Sequence, residues 1–479
     1  MKKQGRLCMT NACLRIAFSL VGFAPLGFVS FALAAEIRLP VPVIEKMPNG
    51  LEVAWFASDS LPVIDMALML KSGNRDDAPG KSGTAELVSS LLDRGNAGMS
   101  AQQLAHAVEM LGASRYASAD EDTFTIGMHG LSPDGATLMD LMAKMALHPD
   151  FPEAEVTREH ERMVDRWNHI ADYGESLVSV AFRRQLTQGT SYNRGGFVSI
   201  HEFQSVGRQD LMDYHRKNFT PKNAVLMVVG RFDPVALRKQ VLQLFGTPEA
   251  WKGDVPTRNW RKYSDPRLPR KKGAVLIVNR PNLTQAEVRL GFEAPLIQAP
   301  EHYALSVANA LIGEYFDSRL NSLIRDKLGL TYGISSSFSY SKDYGAFTIS
   351  AATRNEAVGT LIRRTVEVLK DLKKGPLPGT EVDTAKTYLI GGFPLSVSTL
   401  GSVASRWLAG YIYDLGPGYL NEFVPKVRAV TTEDVLAAVA KDFNLDDLVI
   451  SVAGDAQQIS KSLKEAKLPM VQVDVKQLM

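Results

Sequence analysis

Residues 206 to 230, VGRQDLMDYHRKNFTPKNAVLMVVG, return 224 positions later, without a gap, as residues 430 to 454, VTTEDVLAAVAKDFNLDDLVISVAG. Seven of the twenty-five positions are identical: Val206, Asp210, Lys217, Phe219, Val225, Val228 and Gly230 with their counterparts. Each copy predicts a capped helix, a turn and a buried strand that stops at glycine. The tripeptide FTI at 124 to 126 returns at 347 to 349, an offset of 223. Solenoid repeats are far shorter, so this period implies two homologous domains. Strands such as 64 to 70 (IDMALML) and 286 to 292 (AEVRLGF), which open each half and lead into helical stretches, make each half an α+β unit.

The flanking segments divide the 479 residues further. Residues 1–35 combine Lys2, Lys3, Arg6 and Arg15 with an apolar run from 16 to 34 and end near Ala32-Leu33-Ala34, so they read as a secretory signal peptide. An uncleaved anchor is the alternative, and it is the one route by which this sequence reaches a membrane. The chain is therefore expected to be exported, to a periplasm. Both cysteines, Cys8 and Cys13, lie in the leader. The remainder has none and needs no disulfide in an oxidising compartment.

Of 54 basic residues, the four named above lie in the leader, which leaves 50 against 52 acidic residues and gives no case for nucleic acid. The one basic run, KGDVPTRNWRKYSDPRLPRKKG at 252 to 273, carries three prolines and no periodicity. Residues 251–273 accordingly read as a linker between an N-terminal domain, 36–250, and a homologous C-terminal domain, 274–479.

Most familiar chemistry is excluded by spacing. Gly80-Lys81-Ser82 imitates a phosphate loop, but Arg75 stands where the first glycine belongs and Pro79 removes a backbone donor. No serine sits in a G-x-S-x-G elbow, and no cysteine outside the leader can act as nucleophile. The eight histidines include no pair three or four residues apart, and after His201-Glu202 the second zincin histidine is replaced by Ser205. One puzzle is left in GTAELVSSLLDRG, 83 to 95: a helix that is apolar on most sides carries Glu86, Ser89 and Ser90 on a single turn.

The order of segments answers it. A strand, the loop SGNRDDAPGKSGTAEL, then LGA (111–113), DFPEAEVTREHERM (150–163), FTPKNAVLMVVGRFDP (219–234) and FDSRLNSLIRDKLGLTYGISSSFSY (316–340) together resemble the pitrilysin/insulinase superfamily of zinc peptidases, in its half-length processing-peptidase group. The resemblance implies two homologous α/β-sandwich domains that form half of a clamshell. Catalytic members carry His-x-x-Glu-His on the helix after this loop, where two imidazoles hold zinc and the glutamate activates its water. Aligned on Gly83 and Ala85, this chain has Glu86, Ser89 and Ser90 at those places, and the family's further glutamate ligand falls near Arg166. The resemblance thus implies no metal and no catalytic residue on this chain.

In members of the non-zinc kind, an arginine and a tyrosine seven residues apart reach the partner's zinc and grip the peptide, and RDKLGLTY places Arg325 and Tyr332 at that spacing. Without the resemblance, the same residues read as a surface Arg–Asp pair and a core tyrosine. The glycine run that family members often have upstream is here IGEYFDSRL, 312 to 320. The expectation is a non-catalytic subunit that pairs with a homologous, zinc-bearing chain around a peptide or unfolded polypeptide, with Arg325 and Tyr332 as its substrate-binding residues. The alternatives are a scaffold or peptide-binding protein of the same fold, and an independent zinc peptidase with other ligands.

Overall fold

Two runs of β-branched and aliphatic residues, Ala224–Gly230 and Val449–Gly454, are buried at every position, which is the pattern of strands covered on both faces. They lie inside two six-stranded sheets. In the computed structural model, which describes residues 38–170, 172–194, 200–258, 268 and 271–478, the first sheet is built from β1 (Val43–Lys46), β2 (Glu52–Ala57), β3 (Val63–Leu70), β4 (Ser114–Ala119), β5 (Phe124–Leu131) and β6 (Ala224–Gly230). The second contains β7 (Val275–Asn279), β8 (Gln285–Ala294), β9 (Ile334–Ser341), β10 (Tyr344–Arg354), β11 (Val449–Gly454) and β12 (Met470–Asp474). The leader reading, and residues 259–267 and 269–270 of the segment read as a linker, lie outside the described residues.

The sheet orders are β1-β2-β6-β3-β5-β4 and β12-β7-β11-β8-β10-β9. In each, the second and third strands run parallel and the rest of the shared core is antiparallel. The repeat seen in sequence is thus a repeat of topology. The strands expected at 64–70 and 286–292 are β3 and β8, but neither opens its half: β1 and β2 precede the first, and β7 the second.

The identical residues of the repeat do matching work. Helix α4 (Arg208–Asn218) and its counterpart α9 (Thr432–Asp442) are each capped by the shared aspartate: Asp210 accepts from Gly207 N at 2.9 Å, and Asp434 from Thr431 N at 2.9 Å. Phe219 and Phe443 are both buried beneath their sheets. At Gly230, whose φ is +111°, a Cβ would stand 2.2 Å from the Val63 carbonyl oxygen, and no other residue type fits so close a crossing.

The halves do not close separately. Helix α3 (Gly174–Leu186), from the first half, packs Leu177, Val178 and Ala181 against Leu276, Val278, Ala453 and Val473 of the second sheet. Phe182 and Leu186 extend that contact to Tyr344, Ala346 and Val449, and Ser451 Oγ donates to Gln185 Oε1 at 2.9 Å. Gly291 of β8 lets the helix this near, since a Cβ there would meet the Phe182 ring at 2.8 Å.

Reciprocally, α7 (Leu400–Ile412), from the second half, lays Val403, Ala404, Trp407, Leu408 and Ile412 on Ala54, Phe56, Ala67, Met69, Val225, Met227 and Val229 of the first sheet. Trp407 meets Phe56 edge-on at 5.7 Å between ring centres. Helices α3 and α7 have the same length and equivalent places in the repeat. Each half therefore lends the other the cover for one sheet face.

A buried ionic latch fixes this arrangement. Arg75, 4% exposed, pairs through Nε with Asp122 at 2.7 Å and through Nη1 with Asp343 at 2.8 Å. Asp122 also accepts the Lys342 backbone N–H at 2.6 Å, and Tyr192 Oη accepts that of Asp343 at 2.9 Å. The β9–β10 turn is thereby held against the β4–β5 turn, Tyr192 and the loop that precedes the first helix of the other half. Burial pushes the Asp122 carboxyl up, and Arg75 opposes that shift.

Trp407→Ala is expected to cost about 3–5 kcal/mol by chemical denaturation. Arg75→Ala is expected to cost a similar amount, about 3–5 kcal/mol, because Asp122 is left buried without its cation. Residues 36–258 expressed alone are expected to bind an apolar dye strongly or to aggregate. A monodisperse, dye-silent fragment would show that α7 is not needed as cover.

Candidate functional site

The polar turn lies on α1 (Thr84–Leu91), entered through Gly83 at φ +92°. A Cβ at Gly83 would stand 2.6 Å from the Phe203 ring, and the left-handed backbone adds a second reason for glycine. The preceding loop is built as a cap. Asp77, fully buried, accepts from Gly83 N at 2.8 Å and from Ala85 N at 2.9 Å, while burial pushes its carboxyl up to about 8. Lys81 Nζ pairs with Asp210 at 2.9 Å, and Arg258 Nε with Asp76 at 3.2 Å. The loop that imitated a phosphate cradle spends its polar groups on holding α1, α4 and the start of the segment read as a linker together.

Ser89 Oγ donates to the Glu86 carbonyl at 2.7 Å, and Ser90 Oγ to the carbonyls of Glu86 and Leu87 at 3.2 and 3.1 Å. Both hydroxyls are turned back onto their own helix. Helix α2 (Glu153–Ile170) crosses this turn and brings Arg166 Nη1 to 3.9 Å from Glu86 Oε1. Burial raises the Glu86 carboxyl, whereas Arg166 lowers it; Glu159 adds to the rise, and Arg183 and Arg162 oppose it. The residue aligned with the family's distant acidic ligand thus stands beside the turn as expected, with its charge reversed. One carboxylate, two hydroxyls bonded to backbone and a guanidinium do not fit a zinc ion, and no general base is left to activate water.

The histidines are put to other uses. His215 Nε2 bonds the Ala146 carbonyl at 2.8 Å, and burial pushes its imidazole down to about 4. Among the described residues no group of three or more His, Cys, Asp and Glu side chains could hold a metal ion.

Arg325 lies on the helical segment Asn321–Lys327 and Tyr332 on the turn after it, where Thr331 Oγ1 accepts from Gly333 N at 3.1 Å. Arg325 pairs through Nε with Asp326 at 2.7 Å, donates to the Phe316 carbonyl at 3.1 Å and stacks over the Phe316 ring at 3.6 Å. The surface Arg–Asp pair anticipated from the residues alone is therefore present. The core tyrosine is not, because Tyr332 is 95% exposed. In place of a glycine run, 310–314 is helical, and Glu314 accepts from Asn309 Nδ2 at 2.8 Å.

Sequence reasoning missed a cavity of about 910 Å³ in the second half. It lies between β9 and the helices α5 (His302–Asn309), α6 (Gly379–Ser396), α7 and α8 (Tyr419–Ala429), and aromatic rings line it. Those rings come from five separated segments, so no local spacing could have announced it.

Two homologous sheets with exchanged covers, and a helix whose polar turn faces a second helix beside an edge strand, define a peptidase-like two-domain α/β sandwich. The chain belongs to the pitrilysin/insulinase superfamily. Residues 53–194 match the model of Insulinase (Peptidase family M16), and residues 205–389 that of the Peptidase M16 inactive domain. It is similar to an uncharacterized zinc protease of Mycobacterium bovis, 25% identical over 409 residues that cover 82% of this chain and 88% of the relative. The uncharacterized zinc protease YmxG of Bacillus subtilis is 22% identical over 398 residues, covering 83% and 95%.

Among solved structures, a peptidase M16 inactive domain from Pseudomonas fluorescens superposes with a TM-score of 0.78 at 24% identity, over 86% of this chain and 98% of the other. A protease from Helicobacter pylori gives 0.77 at 20% identity, over 87% and 100%. At these identities the two structures speak for the fold.

Metal analysis of the chain purified without chelator is expected to find zinc far below stoichiometric. About one zinc per chain, removed by Glu86→Ala, would overturn the reading of the polar turn.

Proposed function

We propose that this chain is the exported, non-catalytic subunit of a two-chain zinc metallopeptidase acting on peptides or unfolded polypeptides. The observation that carries the reading is the pairing of a dismantled metal turn with a tyrosine that the fold leaves outside. Glu86 faces Arg166 where the family's catalytic members hold zinc, whereas Tyr332 is 95% exposed. Zinc, its ligands and the general base come from a homologous partner. Arg325 and Tyr332 donate hydrogen bonds to substrate carbonyls and to charge developing at the scissile bond.

Further support comes from β4, the outer strand of the first sheet, with α1 packed beside it. An extended peptide adds to such an edge through backbone hydrogen bonds, which favours loose sequence preference. The relatives' names as zinc proteases suit the reaction class. The leader-like residues 1–35 suit export to a periplasm.

One observation favours a second reading, a scaffold or peptide-binding protein: Arg325 is already engaged by Asp326 and Phe316. Affinity capture of the chain from its own cell envelope is expected to recover a similar-sized chain bearing His-x-x-Glu-His. With that partner, Arg325→Ala combined with Tyr332→Phe is expected to lower kcat roughly a hundredfold with the complex intact. Unchanged activity would remove the substrate-gripping role, and recovery of an unrelated assembly would favour the scaffold.

A further inference from the structure

The cavity of about 910 Å³ in the second half has the volume of a small-molecule site, and aromatic rings line it. Phe393 stacks on Phe423 at 4.8 Å, Phe423 meets Tyr303 at 6.2 Å, and Phe338 lies parallel to Tyr340 at 6.2 Å. Three tyrosine hydroxyls that could have answered a polar ligand are spent within the chain. Tyr413 Oη donates to the Tyr340 carbonyl at 2.7 Å, Tyr419 Oη donates to the Arg406 carbonyl, and Tyr340 Oη bonds His302 Nδ1 at 3.2 Å. What these residues offer a ligand is ring surface.

Of the His, Glu, Lys and Arg side chains that border the cavity, four are answered from within. Lys426 pairs with Glu422 at 2.6 Å, and Glu314, raised by burial, accepts from Asn309 Nδ2 at 2.8 Å. His302 is pushed down to about 4 by burial and is neutral at pH 7. The fifth is Arg406 of α7. Its Nε donates to the Ser396 carbonyl at the end of α6 at 3.1 Å, and no carboxylate among the described residues pairs with it. That bond uses one of five guanidinium donors. It anchors the group and leaves both Nη nitrogens, the pair that meets a carboxylate in bidentate fashion, without a partner. Arg406 is also exposed, so its guanidinium stands at the mouth of the cavity.

We propose that this cavity binds a small amphiphilic carboxylate, its apolar body packed among the rings of Phe338, Phe393 and Phe423 and its single carboxylate held by the Nη groups of Arg406. The charge count selects the class. One unanswered guanidinium calls for one negative charge, whereas a cation would find Glu422 and Glu314 already engaged. A neutral apolar molecule would fill the rings and leave Arg406 unused. A fatty acid and the free C-terminus of a short apolar peptide share the chemistry that fits. The inference goes beyond the peptidase-subunit reading and does not rest on it, because the ligand needs neither a metal nor a second chain.

The probe is dansyl-aminoundecanoic acid, set against its uncharged methyl ester, and binding to the purified full chain is read by dansyl fluorescence. Arg406→Gln removes the charge from an exposed position. Gly392 of α6 borders the cavity, with open space where a Cβ would stand, whereas Gly391 has equally open space and does not border it. Gly392→Trp therefore crowds the apolar part of the site without a clash at its Cβ, and Gly391→Trp is its matched control. Circular dichroism confirms that the variants are folded.

The unsubstituted chain and Gly391→Trp are expected to bind the acid roughly tenfold or more tightly than the ester, and Arg406→Gln to bind the two equally. Gly392→Trp is expected to weaken both. Equal binding of acid and ester by the unsubstituted chain, a preference that survives Arg406→Gln, or binding that Gly392→Trp leaves unchanged would overturn the inference. Decanoate and N-acetyldiphenylalanine then compete for the bound acid. Stronger displacement by the first assigns the site to a fatty acid, stronger displacement by the second to a peptide C-terminus, and displacement by neither would overturn it. The measurement needs no partner, so its failure leaves the peptidase-subunit reading standing, and a chain that captures no zinc-bearing homologue removes that reading alone.

Discussion

The structure depends on an exchange of cover. Central strands β6 and β11 are buried on both faces, so each sheet must be covered twice, and a sheet face left to water loses about 25 cal/mol for every Å² of apolar surface. Each half supplies helices for one face of its own sheet and sends one helix to the other. Trp407 of α7 and Phe182 of α3 are the largest apolar side chains that the two exchanged helices bring to these contacts. The Arg75–Asp122–Asp343 latch then fixes the register of the exchange, since a buried guanidinium finds its carboxylates in one arrangement only.

The polar turn of α1 takes no part in holding that helix in place. The cap built by Asp77, the glycine at position 83 and the apolar side of α1 are independent of what stands at positions 86, 89 and 90. A metal turn can decay into a charge pair, with two serines satisfied by their own helix, at little cost to the core. In the second half the same strand–helix–hairpin order borders an aromatic cavity. One topology thus carries a polar turn beside Arg166 in one copy and an aromatic cavity in the other.

Much of this was legible in the chain. The gapless repeat predicted two homologous halves, and its identities proved to include the shared cap at Asp210 and Asp434, which meets a demand that a local window contains, and the buried rings at Phe219 and Phe443. The family pattern also put Arg166 opposite Glu86, as the structure has it. The exposure of Tyr332 was not legible from composition, since tyrosine is as often half buried as free. Nor was the engagement of Arg325 by Phe316, which depends on how the chain folds back over nine residues. The cavity was invisible because its rings are drawn from positions between 303 and 423 that no period connects.

The amino-acid order by itself determined the secondary elements, their duplication and the presence of Glu86, Ser89 and Ser90 after the loop in place of His-x-x-Glu-His, for these follow from residue type and spacing along the chain. Only the tertiary structure decided which half covers which sheet, that a buried arginine joins two turns 221 residues apart at Asp122 and Asp343, and that the outer strand of the second sheet faces an aromatic space. The physical reason is that burial and ion pairing are properties of surfaces brought together. A local window contains one partner of each contact, and the free energy belongs to the pair.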